Sequence, residues 1–321
     1  MTVLAIVRPN GLLATELREA LDLHPEMAQE VRLVSDDDSE VGTLTEVAGA
    51  ATLVGALDAD DLQRVDVAVV FGTPEDYAAA LDALPPGTTS IIVSTDIAAH
   101  DAEPIVAGVN LESARRGEAN LSPHPAVVGL AHILHPLRDF GIESVAATLL
   151  EPASSYGKGA LDEMFTQARD LLNFQAVKSE ILPGQLAFNI LDAADDPSPL
   201  AHQLRSVLPQ TTLSDDSTLS LHLLRAGVFH SLGVSLHLRL TEDPGEAAVR
   251  DILEDAPCVA LWDEETLGAI DVASRPEVIV GRVEAQGKGL YRLWSMMDNI
   301  AAGGVGNALA ILEALTFRPV A

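Results

Sequence analysis

The chain has one cysteine, Cys258, and three lysines, Lys158, Lys178 and Lys288, among its 321 residues. A single thiol cannot close an intrachain disulfide, which fits a cytoplasmic setting. No stretch approaches the ~20 consecutive apolar residues of a membrane-spanning helix, so no membrane partner is expected. The opening residues, Met1-Thr2-Val3-Leu4-Ala5-Ile6-Val7, lack the basic start and small-residue cleavage site of a signal peptide. No Gly-x-Ser-x-Gly segment is present, which excludes the strained nucleophile turn of an α/β-hydrolase. Positive charge is scarce throughout: 19 basic residues face 48 acidic ones, for a formal charge of −29. Such a surface repels polyanions and argues against nucleic acid or anionic lipid as partner. It is the surface either of a protein from a salt-tolerant host or simply of an acidic soluble protein.

What is present suffices for two domains of ordinary size, with 48% hydrophobic residues to fill their cores. Short, largely apolar and β-branched runs recur early, at 3–7, 31–34, 67–71 and 90–93. Between the first two lies a helical pattern through Leu13, Leu17 and Leu21. Strands buried on both faces and separated by helices predict a Rossmann-type, doubly wound parallel sheet. Beyond Pro136 the pattern changes to longer strands at 144–150, 233–241 and 277–284, with a helix over 158–173 between the first two. That order predicts an α+β region with a mixed or antiparallel sheet. A last helix over 302–315 carries Val305, Leu309, Leu312 and Leu315. The expected division is 1–125, 126–300 and a C-terminal helix, 301–321, returning to the first domain.

Five segments, in order along the chain, carry a family resemblance. They are the first strand-turn-helix unit, with Val7-Arg8-Pro9-Asn10-Gly11-Leu12-Leu13-Ala14, then Phe71-Gly72-Thr73-Pro74, then 154–167 around Gly157-Lys158-Gly159. Ala187-Phe188-Asn189-Ile190 follows, and last Asp298-Asn299-Ile300, Gly303-Gly304 and Asn307-Ala308. Together they resemble the aspartate-semialdehyde dehydrogenase family, the last segment most specifically. The resemblance implies a second domain of the glyceraldehyde-3-phosphate dehydrogenase C-terminal type, a homodimer built through that domain's sheet, and NADP-dependent phosphorylating aldehyde oxidation in amino-acid biosynthesis. It places cofactor contacts at Gly11, Asp298, Asn299 and Asn307, and a carboxylate-binding arginine at Arg225.

Apart from Arg225, the chain departs from that pattern at its chemical positions. The family reaction needs a cysteine thiolate to attack the aldehyde carbon. The matching stretch reads Leu121-Ser122-Pro123-His124-Pro125-Ala126, with His124 or Pro125 where the sulfur would be. The family base is a histidine downstream of the arginine. In Arg225-Ala226-Gly227-Val228-Phe229-His230-Ser231-Leu232 an ungapped match puts Leu232 there, and a two-residue deletion would restore His230. A substrate-holding glutamine falls at Leu150, and the arginine expected near Thr95-Asp96-Ile97-Ala98-Ala99-His100 is missing. In the glycine-rich turn, Arg8 stands where the first glycine makes the tight turn, and Ala14 stands for the third. Ser35-Asp36-Asp37-Asp38-Ser39 sets three carboxylates where the 2′-phosphate of NADP would lie. One of them could accept a ribose hydroxyl, which leaves NAD as the nucleotide this segment would tolerate; the other reading is an exposed acidic turn beside the sheet that binds nothing.

His124, His132 and His135 suggest a metal site, but no carboxylate stands at ligand spacing, and surface or capping roles are expected for them. Cys258, before a short strand, is expected to be a small, partly buried residue. The reading is a degenerate, non-catalytic paralogue of the family (the USG type), a homodimer with a binding or scaffold role. It would partner a small carboxylate at Arg225 or an active paralogue. The alternative is an NAD(P)-dependent oxidoreductase acting on an acidic aldehyde such as aspartate semialdehyde.

Overall fold

Apolar side chains that the sequence spaces for strands and helices assemble into two units, residues 1–124 with 304–321, and residues 125–303. The computed structural model describes residues 2–58, 60–94 and 102–317. The segment 95–100, where an arginine was sought, lies outside the described residues.

The first unit starts with β1 (Val3–Val7), whose Leu4, Ala5 and Ile6 are fully buried. Each such Leu or Ile contributes about 1.5–3 kcal/mol relative to exposure. The strand leads into α1 (Leu12–Leu23), whose inner stripe is Ala14, Leu17, Arg18 and Leu21, the i, i+3, i+4, i+7 spacing of one helix face. β2 (Glu30–Ser35), β3 (Leu44–Val47), β4 (Ala50–Ala56) and β5 (Val67–Val70) follow. Next come α2 (Pro74–Ala83), β6 (Thr89–Val93), the short β7 (Glu103–Pro104) and β8 (Ala119–Ser122). The strand order is β3-β4-β2-β1-β5-β6-β8-β7, and every pairing except the β3–β4 hairpin is parallel. From β1 the chain winds one way to β2 and then crosses to β5 on the other side. The C-terminal ends of β1 and β5 therefore flank the switch point at which open α/β sheets receive their ligands.

The second unit opens with α3 (Pro125–Leu134), buried along its whole length, then β9 (Ile142–Glu151) and α4 (Gly157–Leu172). β10 (Ile190–Asp192), α5 (Ser198–Val207), β11 (Thr218–Ala226), β12 (Leu232–Leu240), α6 (Glu246–Glu254), β13 (Val259–Leu261), β14 (Val278–Gly287) and β15 (Leu290–Met297) complete it. The mixed sheet runs β10-β11-β9-β12-β15-β14-β13. In β12 the odd–even alternation buries Leu232, Val234, Leu236, Leu238 and Leu240 on one face. Ser235 and His237 go to the other. After a wide turn kinked at Gly303, α7 (Val305–Phe317) belongs to the first unit and packs against β6, β8 and α1.

Candidate functional site

In the turn after β1, Arg8 adopts the left-handed conformation, φ +60°, that glycine adopts without strain. Its N–H donates to the Val34 carbonyl at 2.9 Å, which ties the turn to β2. Arg18, buried on α1, donates to the Pro9 carbonyl at 3.1 Å and to Thr45 Oγ1 at 2.7 Å, fixing the turn from beneath. Gly11 caps α1 with φ −66°, and a Cβ there would meet nothing within 4 Å. Neither its backbone angle nor close packing requires a glycine at that position.

The Arg8 guanidinium lies across the switch point. Nε and Nη2 donate to Asp36 Oδ1 and Oδ2, at 2.8 and 2.9 Å, in a fork that matches a carboxylate. Nη2 also reaches Asp76 Oδ1 at 2.8 Å. Asp36 follows β2, and Asp76 sits in the first turn of α2, where its Oδ2 accepts the Thr73 N–H at 2.7 Å and the Thr73 hydroxyl at 2.9 Å. Gly72, φ +135°, is obligatory here, because a Cβ would lie 2.6 Å from Asp76 Oδ2. The bond from Arg8 holds the Asp36 carboxyl below the usual carboxylate range, and the Arg8 pKa is raised in return. Asp37 is spent on a local turn, its Oδ1 accepting the N–H and hydroxyl of Ser39 at 2.8 and 2.7 Å.

A dinucleotide places its pyrophosphate on a tight, glycine-lined turn and a ribose hydroxyl on an acidic side chain after the second strand. Here a side chain issues from the first glycine position and engages both oxygens of that acid. The residues present do not fit NAD or NADP.

His124 is fully buried as the last residue of the first unit's leading segment, and His132 on α3 is 5% exposed. The surface placement expected for them is corrected: both lie inside, in stretches whose neighbours are apolar. Burial, reinforced by His135, pulls the His132 pKa down to about 4, so it is neutral at neutral pH. Among the described residues no group of three or more His, Cys, Asp or Glu is placed to hold a metal ion. Leu232 is 1% exposed at the start of β12, paired with Met297, and is hydrocarbon only. His230 is half-buried in the preceding turn. Cys258 is exposed in a left-handed turn, φ +61°, and not partly buried as expected. Local desolvation and the Glu277 carboxylate push its thiol pKa up, the opposite of what a nucleophilic thiolate requires.

In the second unit, Arg225 and Glu151 are direct neighbours on the parallel strands β11 and β9. Arg225 Nε donates to Tyr156 Oη at 2.7 Å, Nη1 to the Ala193 carbonyl at 2.9 Å, and Nη2 to Asp195 Oδ2 at 2.5 Å. The Tyr156 hydroxyl in turn donates to the buried Glu151. Burial and then the Glu151 carboxylate raise the Tyr156 pKa strongly, so it remains a neutral donor. The guanidinium expected to bind a carboxylate thus holds one already, that of Asp195, whose side chain is 37% exposed. Sequence reading missed Glu151, Tyr156 and Asp195. The one signal for Glu151 is a charge directly after Leu149-Leu150 at the end of β9.

The remaining signature residues bind their own chain. Asp298 Oδ1 accepts the N–H groups of Ile300 and Ala301 at 2.9 and 3.0 Å, and Oδ2 that of Ser274 at 2.8 Å. Asn299 Oδ1 accepts the Ser231 N–H at 3.0 Å, and its Nδ2 donates to Ser154 Oγ at 3.0 Å. Asn307, in the first unit, donates from Nδ2 to the Ile105 carbonyl at 2.8 Å and to Ser122 Oγ at 2.9 Å, and accepts the Ala107 N–H at 2.8 Å. On the sheet face opposite Arg225, a concavity of 470 Å³ is lined by Trp262, Leu267, Trp294, Arg282, Arg292 and Glu264.

Residues 134–302 match the family model of the semialdehyde dehydrogenase dimerisation domain. Over 97% of both chains, the sequence is 26% identical to a USG-1 protein homolog of Azotobacter vinelandii. It is 27% identical to an aspartate-semialdehyde dehydrogenase of Prochlorococcus marinus over 213 residues, a match that spans 61% of each chain. The structure of a probable aspartate-semialdehyde dehydrogenase from Pseudomonas aeruginosa superposes with a TM-score of 0.87 at 24% identity, covering 99% of both chains. That likeness establishes the fold: a Rossmann-type unit followed by a dimerisation domain.

Proposed function

As the chain belongs to the semialdehyde dehydrogenase family, we propose that it is a homodimeric paralogue that no longer catalyses the family reaction and has a binding or scaffold role. The observation that carries this reading is the Arg8 guanidinium bound to Asp36 and Asp76 at the switch point. A hydride-transferring enzyme cannot work without its nucleotide. The other positions agree with it. Neither His124 nor Pro125 provides a sulfur to form and then release a thioester, and Leu232 takes up no proton. The dimer is assigned to the sheet of the second unit, which carries the match to the dimerisation domain. The ligand class favoured for the paralogue is a small carboxylate, taken by Arg225 in exchange for Asp195.

A second reading, NAD(P)-dependent oxidation of an acidic aldehyde such as aspartate semialdehyde, draws on the enzymes among the relatives and on the survival of Arg225. One pair of measurements separates the two: titration of the purified chain with NAD and NADP, and assay with aspartate semialdehyde, phosphate and either nucleotide. The silent paralogue gives no saturable nucleotide binding and no turnover above the buffer rate. Phosphate-dependent turnover in the ordinary range, about 1–1000 per second, would overturn it.

A further inference from the structure

We infer that the Arg8 side chain is an internal occupant of the nucleotide crevice, and that its removal admits NAD in preference to NADP. The inference rests on the silent-paralogue reading and names the single side chain that closes the site. Three observations converge. The guanidinium meets Asp36 through both oxygens, so the acid that would accept a ribose hydroxyl is engaged. Its third contact, Asp76 at 2.8 Å, comes from the first turn of α2, so the cation spans from the strand on one side of β1 to the helix on the other. Arg8 also holds φ +60°, a strained conformation for any residue with a Cβ, so the turn retains the backbone path of a glycine while carrying an arginine.

Two neighbouring positions of the turn are compatible with a bound nucleotide. Ala14 packs fully buried on α1 where close helix–strand contact is needed, and Gly11 still starts the helix with open space above its Cα. With the guanidinium gone, the Asp36 carboxylate is free to accept ribose hydroxyls, whereas the 2′-phosphate of NADP would face Asp36 together with Asp37 and Asp38. The crevice therefore acquires a sign as well as a vacancy, and the sign selects NAD.

The experiment is calorimetric titration of the full chain, wild type, Arg8→Gly and Arg8→Ala, with NAD and with NADP, alongside thermal unfolding to establish that each variant is folded. Glycine relieves the backbone strain and alanine keeps it, so the pair separates the side chain from the turn. Both variants are expected to bind NAD at least about tenfold more tightly than wild type, a change that calorimetry resolves easily. Neither gains comparably for NADP, and adding Asp36→Asn to Arg8→Gly removes the NAD preference. Folded variants that bind NAD no better than wild type overturn the assignment of Arg8 but leave the silent reading standing. A gain by glycine without a gain by alanine overturns it too, since the turn and not the guanidinium would be the block. Wild-type chain binding NAD as tightly as the variants defeats the silent reading itself.

Discussion

Replacing Asn307 with alanine separates two meanings of the most family-like segment in the chain. A cofactor contact can be deleted at little cost to the fold, but a residue whose amide is consumed internally cannot. Asn307 is 4% exposed and satisfies three groups: the Ile105 carbonyl, the Ala107 N–H and Ser122 Oγ. Ser122 retains its own bond to the Gly304 carbonyl at 3.2 Å, and Ala107 is only half-buried, so water can replace part of what it loses. Ile105 is fully buried, and its carbonyl loses the amide donor outright. At about 1–3 kcal/mol for each buried group left without a partner, and least for Ala107, the substitution costs roughly 3 kcal/mol. With a urea dependence of about 3 kcal/mol per molar, the midpoint falls by about 1 M. Asn307→Asp extends the test. The new carboxylate still accepts from Ala107 but turns an acceptor toward the Ile105 carbonyl, so the loss at neutral pH is at least as large and shrinks as acid protonates it. Urea unfolding followed by circular dichroism reads both. An alanine variant whose midpoint stays within about 0.2 M of wild type would refute the structural role.

Two further perturbations follow from the second unit. The His132 pKa is depressed from 6.5 to about 4 in the folded chain, so below about pH 6.5 the unfolded chain takes up a proton that the folded one refuses. Stability is present above that pH, falls progressively to about pH 4, and loses up to about 3 kcal/mol from this group. His132→Gln flattens that limb of the urea-midpoint profile, and an unchanged slope would show that the imidazole is not the titrating group. Gly227→Ala drives a Cβ to 2.4 Å from the Leu186 carbonyl oxygen and 2.9 Å from that of Asn189, both backbone atoms that cannot swing aside. Overpacking of this kind costs about 1–3 kcal/mol. A melting temperature equal to wild type for Gly227→Ala would contradict that close approach.

The legible part of the fold is the part written in local pattern. Largely apolar runs gave β1, β2, β5 and β6, and the longer strands β9, β12 and β14 were visible from length and alternation. The β3–β4 hairpin was not read, because its Leu44 and Leu53 face solvent and no apolar face distinguishes it. β11 was missed although Leu219, Leu221 and Leu223 alternate with polar residues, a period-2 signal that was available. At the site, the loss of the first glycine was plain in the sequence, but the destination of the arginine replacing it was not. Asp36 is 28 residues away, and tertiary folding alone decides whether it meets Arg8 or a ribose. The same holds for Asn307, whose partner at Ala107 is 200 residues distant. Residue identity marked these positions as special, and only the paired atoms show that they serve the chain itself.

The two arginines share a logic that sets what a ligand must overcome. On the proposed reading, Arg8 and Arg225 each stand where an anion or a nucleotide would be received, and each is already forked or bonded to a carboxylate of its own chain, Asp36 and Asp195. A tethered group acts at an effective concentration in the millimolar range or above without any affinity of its own. A free monocarboxylate offering Arg225 only what Asp195 offers therefore makes no headway at micromolar levels. A successful ligand must bring contacts that Asp195 lacks, or arrive on a partner that displaces the whole 193–197 loop. The two sites differ in how firmly they are shut. Asp195 is 37% exposed, and the chain around it consists of aspartates, alanines and prolines, so its contact opens at the cost of one partly solvent-screened pair. Arg8 is bound on two sides, with one of its partners also fastened to Thr73 at the start of α2, so opening the crevice disturbs a helix cap as well. On the proposed reading, ligand exchange at Arg225 is thus compatible with the folded chain as it stands, whereas the nucleotide crevice requires a change of sequence.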